Sequence, residues 1–94
     1  MQKPAARKQD FLSIILPFRN EKSSIKKSIL SAKQVLKQNN IKGEIIVSDS
    51  STDGSFQIAS DLGVILVKHD EIGYGNACKR GILKASGNFI FLAD

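Results

Sequence analysis

Apolar and polar positions follow two alternating regimes along the chain. Residues 11–16 form a continuous apolar run broken only by Ser13, the pattern of a strand covered on both faces. From about residue 21 to 37 the spacing changes. Ile25, Ile29, Ala32, Val35 and Leu36 share one arc of a helical wheel, and Lys22, Lys26, Lys33 and Lys37 form a neighbouring stripe. Asn39, Asn40 and Gly43 close that helix. Residues 44–48 predict a second buried strand, and 49–55 are a run of turn and cap residues. A short helix follows over 56–62, with Gly63 as its stop. Residues 64–68 predict a third strand, 69–75 a polar, glycine-bearing loop, 76–85 a third helix, and 88–92 a fourth strand.

The order is β-α-β-α-β-α-β, with crossovers long enough for parallel pairing, so the fold class is α/β. Right-handed crossovers with helices on both faces predict a doubly wound, Rossmann-like parallel sheet of order 3-2-1-4, with its switch point between strands 1 and 4. Ligands of such sheets bind beyond the carboxyl ends of the strands.

Composition sets bounds on this picture. The chain has 94 residues, 41% hydrophobic and 24% charged, room for one small domain with a modest core. A single cysteine, Cys78, excludes an internal disulfide and suits a reducing, cytoplasmic compartment. Lys3, Arg7 and Lys8 followed by an apolar run imitate a signal peptide. That run contains Ser13 and Pro17, however, and ends in Arg19-Asn20-Glu21-Lys22 with no small-residue cleavage site. Residues 1–10 therefore read as a basic flexible tail. No run approaches the ~20 apolar residues needed to span a bilayer. Charge is polarised: residues 1–42 hold ten Lys/Arg against two acids, and residues 43–94 hold four against seven.

The predicted carboxyl ends carry the candidate chemistry. Pro17, Arg19 and Glu21 follow strand 1, Asp49 follows strand 2, Gly73 and Gly75 lie in the third loop, and Asp94 follows strand 4. Three carboxylates from distant segments would share one rim, suited to ribose hydroxyls, base N–H groups and a hard divalent cation. Each has a plainer reading. Asp53 or Ser55 reads as the cap of the second helix, whereas Asp49, directly at the strand end, reads as a ligand contact. Glu21 alone would only complement a helix N-terminus. Gly73 and Gly75 fit either a plain turn or a backbone that lets a ligand approach. The stretch from Asp49 opens like a calcium loop, but its twelfth position is Ser60 and a strand precedes it, which excludes that site. His69 reads as an exposed loop residue, Cys78 as a small core-facing one, and the lysine stripe as a solvated helix face.

These residues match a known pattern. Ser13-Ile-Ile-Leu-Pro-Phe-Arg-Asn-Glu21, Glu44-Ile-Ile-Val-Ser-Asp-Ser-Ser-Thr-Asp-Gly54, Gly73-Tyr-Gly75 with Gly81, and Phe89-Ile-Phe-Leu-Ala-Asp94 resemble, in order and spacing, the N-terminal half of family-2 glycosyltransferases. The resemblance is nearest to the branch containing dolichyl- and polyprenyl-phosphate sugar transferases. It implies the N-terminal half of a GT-A fold over residues 11–94 and a nucleotide-sugar donor, a UDP- or GDP-sugar. Pro17, Arg19 and Glu21 would line the nucleoside pocket, Asp49 would meet base or ribose, and Gly73 and Gly75 would lie against the donor. Asp94 would be the first acid of an Asp-x-Asp motif holding Mg²⁺ or Mn²⁺ on the diphosphate. The family's usual Asp-Asp-Gly-Ser after strand 2 is Ser48-Asp49-Ser50-Ser51 here, without the first acid and the glycine. The second metal-motif acid and the acceptor half fall past Asp94, so the chain reads as a donor-binding half, truncated and without transfer activity alone. The implied acceptor is a polyprenyl phosphate, at the cytoplasmic face of a membrane in the full-length protein.

Two other functions compete. A non-enzymatic doubly wound module could bind nucleic acid or anionic lipid through its basic first half; no base-stacking aromatics interleave with those lysines, which disfavours nucleic acid. A phosphoacceptor receiver domain would need paired acids after strand 1, where Pro17-Phe18-Arg19 stands.

Overall fold

The computed structural model describes residues 10–93; all of the predicted 1–10 tail but Asp10, and Asp94, lie outside them. The elements are β1 (Leu12–Phe18), α1 (Lys22–Gln38), β2 (Gly43–Asp49), α2 (Ser55–Asp61), β3 (Ile65–Lys68), α3 (Tyr74–Lys84) and β4 (Phe89–Leu92). All pairings are parallel and the order is β3-β2-β1-β4, as the pattern predicted.

Alternation along the two central strands divides the core. Ile14, Leu16 and Phe18 of β1 and Ile45 and Val47 of β2 join Ile25, Ile29 and Ala32 of α1 and Ala59 of α2 in one buried cluster. On the other face, α3 packs on β1 and β2 through Ala77, Cys78 and Gly81, all buried, as expected for Cys78. A Cβ at Gly81 would collide with Ile15 Cγ2, so glycine is what lets this helix lie close to the sheet.

Ser13, the one polar break in the first apolar run, is fully buried and has a purpose. Its hydroxyl donates to Glu44 Oε2 (2.6 Å) and accepts from the Gly87 amide (2.9 Å). Glu44 Oε2 also receives the Ser86 amide (2.8 Å) and hydroxyl (2.9 Å). This network ties the amino ends of β1 and β2 to the connection that delivers β4. Burial pushes the Glu44 carboxyl up, but the bonds from Ser13 and Ser86, with Lys84 nearby, outweigh it and leave it below its ordinary value.

β4 is different in kind. Among the described residues it pairs with β1 alone, at the edge of the sheet, and Phe89, Ile90, Phe91 and Leu92 are all exposed.

Candidate functional site

Parallel pairing puts the carboxyl ends of β1, β2 and β3 side by side: Phe18 pairs with Asp49, and Asp49 with Lys68. The segments leaving these ends are sewn together by hydrogen bonds. Asn20, at φ 53°, takes the left-handed conformation that asparagine tolerates, and so presents both its amide and its side chain to the second loop. Its N–H donates to Ser51 Oγ (2.7 Å), and its Oδ1 accepts the Thr52 amide (2.8 Å). Arg19 Nη1 donates to the Ser50 carbonyl (2.9 Å). Lys68 Nζ reaches the Ser51 carbonyl (2.6 Å) from β3 while lying 5.3 Å from the Phe56 ring centroid.

Asp53 belongs to the same stitching, although the cap of α2 is not the one expected. Gly54, at φ 91°, occupies the N-cap position, and neither Asp53 nor Ser55 makes the cap bond from there. Asp53 instead accepts the Ser55 amide (3.0 Å) and hydroxyl on Oδ1 and the Lys22 amide (3.2 Å) on Oδ2. One carboxylate thus serves the starts of two helices, which an interior N-cap geometry could not do. The Ser55 hydroxyl is the main cause holding it below the ordinary aspartate value; burial opposes it, and the Ser55 and Lys22 amides add to it.

Above the interlocked segments is a cavity of about 290 Å³. Pro17, Arg19 and Glu21 line it from the β1 end, Ser50 from the β2 end, and Gly73 and Tyr74 from the start of α3, with Phe18, Ile72 and Ala77 also in the wall. Four of the expected site residues, Pro17, Arg19, Glu21 and Gly73, are therefore brought together. Gly73 has φ 114°, so its glycine is required by the backbone at the entrance to α3. Gly75 stands in the first turn of α3, where a Cβ would meet nothing, and is not in the wall. Glu21 occupies the N-cap position of α1 with its carbonyl accepting Ser24 and Ile25 amides, and its side chain makes no cap bond. Asp94 lies outside the described residues. Sequence reasoning did not single out Ser50, Tyr74, Ile72 or the Asn20 hub. The asparagine's tolerance of positive φ was the available signal for Asn20.

Asp49 lies one residue inside the wall. It is fully buried, with Oδ1 accepting the Ser51 amide (2.8 Å) and Oδ2 without a partner among the described residues. Next to it, the fully buried Ser48 hydroxyl and both nitrogens of His69 are also unpartnered. His69 corrects the expectation of an exposed loop position: it is 9% exposed, because its amide extends the β2–β3 ladder onto the Asp49 carbonyl (3.0 Å) and carries the ring inward. Buried polar groups without partners are uncommon; side chains alternate along β2, so Asp49 shares the face of Val47 and the Ser48 hydroxyl lies on the opposite one.

The roomier groove, about 590 Å³ between α1 and β4, is walled mainly by apolar residues such as Leu12, Ile14, Val35 and Phe91, with Lys27, Ser28 and Ser31 of α1 its polar lining. Among the described residues no group of three or more His, Cys, Asp or Glu side chains could hold a metal ion. Asp94, on which the Mg²⁺ or Mn²⁺ expectation rests, lies outside these residues.

Residues 13–94 match the family described as glycosyl transferase family 2. The chain belongs to that family. It is 36% identical over 83 residues to a low-salt glycan biosynthesis hexosyltransferase, Agl6, of Haloferax volcanii, a match covering 88% of this chain and 20% of that protein. Its fold is similar to that of the mannosyl-3-phosphoglycerate synthase of Rubrobacter xylanophilus, with a TM-score of 0.75 at 22% identity over 85% of this chain and 28% of the synthase. The chain spans about a fifth of the length of the curated relative it matches. The parallel 3-2-1-4 sheet with its three helices is thus the Rossmann-like sheet of a family-2 transferase.

Proposed function

We propose that the chain is the donor-binding half of a family-2 glycosyltransferase and holds a nucleotide-sugar, a UDP- or GDP-linked hexose, in the cavity at the carboxyl rim. The observation that supports this is the convergence of Pro17, Arg19, Glu21, Ser50, Gly73 and Tyr74 on one 290 Å³ cavity in a chain of this family. The hexose is taken from the hexosyltransferase name of the Haloferax relative.

The residues divide the work by their chemistry. Arg19, pinned by the Ser50 carbonyl, keeps further guanidinium donors for an anionic or carbonyl oxygen. Glu21 is an acceptor for ribose hydroxyls, and Tyr74 offers a ring for the base. Asp49 Oδ2, an unpaired acceptor among the described residues, would take an N–H or O–H from the nucleoside, and this would remove the cost of leaving it unpaired. Mg²⁺ or Mn²⁺ at Asp94 and a polyprenyl phosphate acceptor are further parts of the proposal; neither draws on the described residues.

Calorimetric titration of the full 94-residue chain with UDP, GDP and their hexose conjugates, with and without Mn²⁺, tests it. Saturable heat that Asp49→Asn removes supports the reading. Absence of heat with every nucleotide while the chain is folded by circular dichroism rejects it.

A further inference from the structure

We propose that the lysine-bearing flank of α1, together with the turn leading into β2, docks on an anionic membrane surface. This surface is separate from the donor cavity and does not depend on it.

α1 carries five lysines and no acidic residue over its seventeen positions. Ile25, Ile29 and Ala32 face the core, and Lys22, Lys26, Lys33 and Lys37 recur at the spacing of an adjacent flank. Two large aliphatic side chains stand among these charges: Leu30 is 45% exposed and Ile41, in the turn, 38% exposed. The surface between them forms two shallow depressions. One is bordered by Lys26, Lys27 and Leu30, the other by Lys33, Lys37, Ile41 and Lys42. Lysines thus ring aliphatic side chains twice along one side of the molecule.

Among the described residues the lysines of this flank make no ion pair. The ion pair found among the described residues, Arg80–Glu71, belongs to α3 and the loop before it. Lys22 and Lys26, and Lys33 and Lys37, are like charges at i,i+4, an arrangement that costs an isolated helix stability. Lys33 donates to the Leu62 carbonyl, which leaves Lys26, Lys27, Lys37 and Lys42 free to turn toward a partner. A sheet of anionic headgroups is the complement of this pattern. It relieves the repulsion along the whole helix, lets the lysine stems lie along the surface with their ammonium groups at the phosphates, and gives Leu30 and Ile41 an apolar layer to enter. Nucleic acid fits less well: Phe11 is the one ring lining either depression and is partly buried, and the exposed aliphatics have no role on a phosphate backbone. Glu21 and the donor cavity lie at the N-terminal end of a helix about 25 Å long, so a docked α1 leaves the rim open.

Sedimentation of the full chain with vesicles tests the proposal, using phosphatidylcholine alone and phosphatidylcholine mixed with phosphatidylglycerol, at low salt and at ~0.15 M. Binding is expected to require phosphatidylglycerol, to weaken with salt, and to fall roughly fivefold for each lysine neutralised in Lys26→Gln and Lys37→Gln. Leu30→Ser should weaken vesicle binding while leaving the affinity for a single-stranded oligonucleotide unchanged. These substitutions are at exposed positions, and circular dichroism verifies that each variant is folded. Equal binding to the two vesicle types, or no binding, overturns the proposal. So does an oligonucleotide affinity matching that for the mixed vesicles with Leu30→Ser changing neither, which would mark a general polyanion surface. UDP titration of the same variants reads the donor cavity separately.

Discussion

The carboxylate of Asp53 accepts the backbone amide of Lys22, 31 residues earlier in the chain, at 3.2 Å. The same side chain binds the amide and hydroxyl of Ser55, so the first turns of α1 and α2 depend on one acid. Asp53→Ala should therefore lower the thermal midpoint more than Asp61→Ala, whose carboxylate takes only the Gln57 amide within its own helix. Parallel thermal melts of the two variants by circular dichroism check this; equal midpoints would show that Asp53 is not shared between the helices in solution.

Acid should weaken the fold at both ends of the sheet. Asp53 and Glu44 both have carboxyls held below their ordinary values. A depressed folded-state value means that the unfolded chain binds the proton more readily, so each group's contribution is fully present above its ordinary range of about 4 and fades as pH falls through the lower folded value. Urea midpoints measured from pH 7 down to about 2.5 should fall below pH ~4, and the fall should be shallower in an Asp53→Asn, Glu44→Gln double variant.

Ser13→Ala removes the hydroxyl that joins Glu44 to Gly87 and leaves the Gly87 amide without its acceptor. A cost of about 1–3 kcal/mol is expected from urea denaturation, although only one oxygen is lost. Ser13→Thr, which keeps the hydroxyl, should recover part of it.

Gly81→Ala forces a methyl group onto Ile15 Cγ2 and should cost about 1–3 kcal/mol. Ile15→Val in the same chain shortens the neighbouring side chain but keeps Cγ2, so it should relieve little, whereas Ile15→Ala should relieve more. A double-mutant cycle between positions 15 and 81 reads the coupling directly.

Asp49→Asn keeps an oxygen for the Ser51 amide but replaces the unpaired Oδ2 acceptor by a donor. Nucleotide affinity is expected to fall roughly ten- to a hundredfold, the value of about 1.5–3 kcal/mol for a hydrogen bond to a charged group. Calorimetry on wild type and variant measures it; unchanged affinity would remove Asp49 from the donor site.

Much of this architecture was readable from side-chain spacing. The buried strands announce themselves as short apolar runs, the lysine periodicity locates α1, and four strands separated by crossovers leave few topologies, of which 3-2-1-4 is the one formed. The rim was also readable as far as Pro17, Arg19, Glu21 and Gly73, because position at a strand end follows from the element order. What escaped depends on contacts between loops. Whether His69 turns in or out is decided by one further ladder bond to Asp49, and Asp53 caps α1 as well as serving α2 only because the β1 and β2 loops meet. Single-residue propensities carry no record of such long-range partners.

β4 carries a cost of its own. Four large apolar side chains in a row, each 41% exposed or more, stand on a strand whose outer edge faces no other strand among the described residues. Such an edge is a template on which any extended apolar peptide can add itself, including β4 of another molecule. The solubility of the purified chain should therefore be governed by these four residues rather than by its net charge of +5, and a lysine at Phe91 should raise the concentration at which light scattering begins.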